Sequence, residues 1–221
     1  DGADDSTSYT RELFALSRQR RVFAIVVARA LMIPVFIGLV TYNSLIVVRL
    51  LDGTPVQAGV LTAIVYFSFA IAASQAGRIT AMSESRLFPL LGANLSLSLG
   101  FVAALFAPGL GVATIGIAAT GAGFGILGSL YRSIITGFAP ESLRGGLVSL
   151  SEAGGRVTAT LTPLSMGGII AVASPAFGFA HALQLAGLAV ALVAGGGAIA
   201  CPFIANASAP VSGVPSGISE A

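Results

Sequence analysis

Apolar residues fall into six blocks, each separated from the next by a short polar or glycine-proline cluster. Crossing roughly 30 Å of hydrocarbon takes about 20 helical residues. Blocks near that length lie at about 22–51, 57–76, 87–106, 112–130, 157–173 and 177–204. The first ends at Asp52-Gly53-Thr54-Pro55, where Gly53 breaks one helix and Pro55 suits the first turn of the next. Gly77-Arg78 to Arg86 makes the second connector, Ala107-Pro108-Gly109-Leu110-Gly111 an uncharged hairpin, and Ser174-Pro175 the last turn. Between the fourth and fifth blocks runs the longest polar connector. It carries Pro140-Glu141-Ser142-Leu143-Arg144-Gly145-Gly146 and then Glu152-Ala153-Gly154-Gly155-Arg156.

Residues 1–21 read as a hydrophilic linker, acidic at its start and unlike a basic, apolar-cored signal peptide. From Tyr9 to Arg21, Leu13, Phe14 and Leu16 alternate with Arg11, Arg18 and Arg20. That spacing gives either an amphipathic lead-in lying on the membrane surface or a plain solvated linker. Residues 205–221, rich in Ser, Pro, Ala and Gly, are expected to be a disordered tail.

Composition narrows this pattern to one class. The 221 residues are 55% hydrophobic and 9% charged. Their mean hydropathy is +0.93, too apolar for a soluble surface. The expected fold is therefore an all-α membrane protein of six transmembrane helices, with the lipid bilayer as solvent. All the basic residues are arginines, and nine of the eleven fall on one side of a six-span topology: Arg11, Arg18, Arg20, Arg21, Arg78, Arg86, Arg132, Arg144 and Arg156. Arg49 lies opposite and Arg29 lies within the first span. Retention of positive loops places both termini in the cytoplasm of a multi-pass cell-membrane protein.

Several residues carry possible chemistry. Arg29 is costly within an apolar block unless it meets water, a partner or the bundle interior. No carboxylate in the blocks is placed to neutralise it, which leaves a missing partner domain, an anionic substrate, or interfacial water reached by snorkelling. Arg78, Arg132, Glu141, Arg144, Glu152 and Arg156 sit at helix ends, where they either latch one conformational state by ion pairing or simply mark the positive side. His181 and Gln184 fall near one face of the sixth helix, and Asn43 and Asn94 add polar groups in the first and third. These four and Arg29 are the candidates for a substrate or ion pathway; His181 serves equally as a polar packing residue. Gly121 and Gly125 bare one face of the fourth helix, for close packing or for sliding.

The connector and the fifth block resemble the major facilitator superfamily. Pro140-Glu141-Ser142-Leu143-Arg144-Gly145, then a helical run to Gly155-Arg156, then Pro163, Gly167 and Gly168, is similar to the Pro-Glu-x-x-Arg-Gly segment and the glycine-proline helix after it in that family. Gly77-Arg78 stands where the family often carries a Gly-x-x-x-Asp-Arg-x-Gly-Arg motif. The resemblance implies two inverted three-helix repeats forming the C-terminal half of a twelve-helix secondary transporter. It also implies alternating access to a small-molecule cargo against a second six-helix half, fused upstream, separate, or another copy. The segment from Pro163 to Gly168 points to an exporter-like, efflux branch, with those residues packing helices.

Other classes fare worse. A truncated six-span protein that transports nothing would carry the same pattern. A rhomboid-like intramembrane protease needs a serine activated by histidine; Ser129 follows Gly128, but Leu130 replaces the expected glycine, so no enzyme is expected. No Gly-x-x-x-x-Gly-Lys loop occurs. Cys201, the single cysteine, reads as an apolar filler, and neither a cofactor nor a metal site is expected. The arginines are not clustered with aromatics as a nucleic-acid surface would be. A cysteine introduced beside Pro108 is expected to react with an impermeant maleimide from outside intact cells; reaction only after permeabilisation would reverse the topology.

Overall fold

The computed structural model describes residues 2–83 and 85–205. The tail expectation for 206–221 and Glu84 of the second connector lie outside the described residues. Among the described residues seven helices follow in order: α1 (Gly2–Ser17), α2 (Arg20–Leu45, continued by a π turn over Ile46–Leu50), α3 (Pro55–Ala81), α4 (Leu87–Leu105), α5 (Leu110–Phe138), α6 (Arg144–Phe177) and α7 (Phe179–Ala205). Among the described residues there is no strand. From α2 to α7, six helices are long and apolar enough to cross a membrane, and the chain is an all-α, membrane-embedded protein.

The helix boundaries have local causes. Thr54 accepts a hydrogen bond from the Gln57 amide, and the Gln57 side chain accepts one from the Thr54 amide, with Pro55 next in the first turn. Two expectations need correction at α6. The stretch Glu152–Arg156 is helix rather than connector, because the polar loop closes within Pro140–Leu143 and α6 begins at Arg144. Ser174-Pro175 does not turn the chain either. Proline only removes one ladder donor there, and the helix runs on to Phe177, ending at Gly178, whose φ of 78° suits glycine.

Burial divides the six spans into two kinds. Only 17% of the apolar window is buried in α3 and in α6, against 39% to 56% in the other four, so α3 and α6 ride on the outside. α5 is wedged between two neighbours. Gly121 and Gly125 lie against the α3 backbone at Val65 and Phe69, while Gly116 and Gly123 lie against α4 at Gly100 and Ala93. A Cβ at Gly100 would stand 2.7 Å from the Gly116 carbonyl oxygen, and one at Gly123 would stand 2.6 Å from the Leu97 nitrogen. Backbone at that range cannot move aside cheaply.

Two helix pairs run parallel: α3 with α5, and α2 with α6. In the second pair Gly155 meets Ile33, Gly38 meets Met166, and the Tyr42 hydroxyl donates to the Pro163 carbonyl at 2.9 Å. Gly167 leaves room for that hydroxyl, since its own Cβ would stand 3.2 Å away. Gly168 meets no neighbour. α1 lies across the start of α6, with Tyr9 and Leu13 over Gly146. Gly123→Leu forces α4 and α5 apart and is expected to cost at least about 2 kcal/mol, read as a lower unfolding midpoint in detergent; Gly128→Leu, where nothing lies within 4 Å, should shift it little.

Candidate functional site

Three of the candidate residues, Arg29, Arg132 and Glu152, come together where α2, α5 and α6 meet. Arg29 of α2 is 7% exposed and donates through Nη1 to the Ser151 hydroxyl and through Nη2 to Glu152 Oε1, both on α6. Arg132 of α5 reaches the same Oε1 at 3.1 Å. Two guanidinium groups therefore share one carboxylate oxygen, and the cluster holds two positive charges against one negative. Arg29 Nε is buried without a hydrogen-bond partner among the described residues.

Helix geometry sets the depth. At 1.5 Å per residue, Arg29, Arg132 and Glu152 stand roughly 32 to 38 Å from the far ends of their helices at Leu50, Leu110 and Phe177. That is the edge of a hydrocarbon layer about 30 Å thick, on the face that carries most of the arginines. Burial there is graded: the side chain of Arg29 is 8% exposed, that of Glu152 38% and that of Arg132 65%. The pair at the inner end is thus shielded from water, while the outer arm is a solvated contact of small energetic weight.

This pairing corrects the expectation that no carboxylate could neutralise Arg29. The polar pattern assigns Glu152 to the connector; α6 starts eight residues earlier, and two helical turns carry the carboxylate onto the face that meets α2. The wider latch does not assemble. Arg144 opens α6, where free amides rather than carbonyls face it, and Glu141, Arg144 and Arg156 stand exposed outside the cluster. Arg78 donates to Gln75 at 3.3 Å on α3. Of the six charged residues read as a latch, Arg132 and Glu152 come together.

The pathway candidates separate as well. Asn43 donates to the Ala58 carbonyl at 2.9 Å and to the Thr62 hydroxyl at 2.8 Å, stapling the end of α2 to the start of α3. Gln184 donates to the Leu105 carbonyl at 3.2 Å, satisfying a free carbonyl at the end of α4. His181 is exposed near the start of α7. Asn94 is buried against Gly197, and neither end of its amide bonds to a described residue. Ser129 donates to the Ala73 carbonyl at 3.3 Å. It lies deeper than His181 along its helix by about 25 Å, so the two do not form a nucleophile and base.

Two features had no sequence forecast. Ser151 completes the ring of acceptors around Arg29, and its only signal was adjacency to Glu152. Phe36, Tyr66, Phe69 and Phe124 form an aromatic cluster between α2, α3 and α5, with Phe36 and Phe124 stacked at 4.1 Å. The spacing of Tyr66 and Phe69 on one helix face was legible, but their partners on other helices were not. An open cleft of about 590 Å³ lies between α3 and α5 on the arginine-rich face, bordered by Thr80, Arg86 and Ser133.

Glu152→Gln leaves Arg29 buried without a counter-charge and should cost about 2 kcal/mol or more, whereas Arg132→Gln should cost less than about 1 kcal/mol. Unfolding midpoints in detergent measure both, and equal losses would refute the graded burial. No family model matches this chain, and no curated protein matches it.

Proposed function

We propose that the chain is one six-helix half of a secondary active transporter, in the manner of the C-terminal half of the major facilitator fold, moving a small molecule by alternating access. The observation that carries this reading is the packing order of the helices. Exchanging α2, α3 and α4 for α5, α6 and α7 turns the parallel pair α3 with α5 into the parallel pair α6 with α2. It likewise turns α4 with α5 into α7 with α2, and leaves the pairs α2 with α5 and α4 with α7 as they are. Such a relation is what two inverted three-helix repeats produce. Two pairs depart from it: α6 packs along α7 and α2 touches α4, while α3 with α4 and α5 with α7 make no comparable contact.

The outer helices α3 and α6 occupy equivalent second places in the two triplets. They present large apolar side chains, among them Phe67 and Ile71 on α3 and Leu161 and Leu164 on α6. In this reading a second half covers part of both helices, and the cluster of Arg29, Arg132 and Glu152 lies at the cytoplasmic edge as one closing contact of the rocking cycle. Arginine bias supports cytoplasmic termini, and the Pro163 to Gly168 segment supports an exporter-like direction. The reading of a truncated, non-transporting chain differs in what lies beside α3 and α6, which would then be lipid.

Cross-linking in native membranes separates the two. With Phe67→Cys and Leu164→Cys introduced one at a time, a short cross-linker carrying one maleimide and one photoactivated end is expected to join each position to a protein partner of about the same span count, fused or separate. Labelling of both positions by a lipid-phase probe with no protein cross-link would remove the transporter reading.

A further inference from the structure

The cluster at the meeting of α2, α5 and α6 has the composition of an anion site that already holds a tethered anion. Arg29 and Arg132 come from two different helices and meet on a single oxygen, Glu152 Oε1, while the second carboxylate oxygen makes no hydrogen bond in the cluster. Ser151 supplies a hydroxyl at the same place. Arg29 Nε is buried and unpartnered, so the guanidinium has donor capacity that the resident carboxylate leaves unused. The charge is unbalanced, with one carboxylate for two guanidinium groups. The outer arm, Arg132 and the exposed edge of Glu152, opens to water, so a soluble ion has a route in.

We infer that Arg29, Arg132 and Ser151 form a binding site for a phosphate or carboxylate group, and that Glu152 occupies it until such an anion displaces it. An incoming group with two or three acceptor oxygens satisfies both guanidinium groups and can take Arg29 Nε as well, which one shared oxygen of Glu152 does not. Displacement also has a mechanical result. Glu152 and Ser151 are what join α6 to α2 at this depth, so anion binding trades a contact between helices for contacts to the ligand. A ligand that binds one arrangement better shifts the balance between two arrangements by its differential affinity. The inference rests on the transporter proposal only in naming the anion as the charged group of a cargo. Binding itself is read without transport.

Phosphate chemistry reaches this depth from two sources, a soluble anion and a lipid headgroup, and the test separates them. The purified chain is placed in nanodiscs of phosphatidylcholine alone, and inorganic phosphate is titrated calorimetrically. A tethered competitor lowers apparent affinity by its effective concentration. Glu152→Gln is therefore expected to bind phosphate at least about tenfold more tightly than the unaltered chain, and Arg29→Gln in the same background is expected to abolish that gain. If the gain appears only as Arg29-dependent retention of phosphatidylglycerol from mixed-lipid nanodiscs, the site stands and the headgroup is its ligand. No gain with either anion, or a gain that survives Arg29→Gln, overturns the inference.

A second measurement keeps the idea testable if Glu152→Gln folds poorly. Spin labels at Phe23→Cys on α2 and Ala153→Cys on α6, both exposed positions, are placed in the chain with Glu152 intact; Cys201 is buried. Their separation should widen as phosphate or phosphatidylglycerol is raised. A spacing unmoved by both rejects displacement. Because neither readout involves a second half, these failures leave the cross-linking result untouched, and the reverse holds too.

Discussion

Helices in lipid gain little by burying apolar side chains against one another, since the surrounding tails are just as apolar, so the bundle depends on close backbone contact. In this protein that constraint falls on α5. Its glycines at 116 and 123 admit α4, and those at 121 and 125 admit α3, so two different faces of one helix are stripped of side chains. Elsewhere glycine makes room for a side chain instead: Gly38, Gly155 and Gly167 take Met166, Ile33 and Tyr42 where α6 crosses α2, and Gly187 and Gly197 take Leu105 and Asn94 where α7 crosses α4. Dispersion at short range then does the work that hydrophobic burial does in water.

Polar side chains add fixed points to that scaffold. Asn43, Tyr42 and Gln184 each bond to a backbone carbonyl on another helix, and of the three only the Leu105 carbonyl lies in the last turn of its helix. That carbonyl is left over by its own helix ladder, while those of Ala58 and Pro163 accept on a second lone pair. The charged cluster differs in kind. It joins three helices through side chains alone, and its energy depends on keeping both signs together: removing one partner strands the other in a medium that solvates it poorly.

Much of the fold was legible because a bilayer imposes length and polarity on each span. Six spans, the Thr54-Pro55 helix start and the proline-glycine hairpin follow from local sequence alone. Helix ends were less legible. α6 continues through Pro175 and starts within a polar segment, because proline weakens a ladder without ending it and glycines do not stop a helix held by its neighbours. The site was half legible for the same reason. A buried arginine asks for a partner, and sequence can name that demand. Which carboxylate answers depends on where α6 begins, and on a register between two helices separated by more than a hundred residues, neither of which local pattern encodes.

The length of α6 has a geometric consequence of its own. Its 34 residues make a rod of about 51 Å, well over the thickness of the hydrocarbon, and Pro163 interrupts its ladder in the middle of the membrane. Everything from Pro163 back to Arg144 is therefore an arm of about 28 Å that starts at a missing ladder bond. A tilt of about 10° there would swing the tip by about 5 Å and Glu152 by about 3 Å, more than any hydrogen bond survives. α1, resting on that tip through Tyr9 and Leu13, is the element that would feel such a swing first. The polar leading segment of the chain is thus placed as a handle on the far end of a lever whose fulcrum lies among lipid tails.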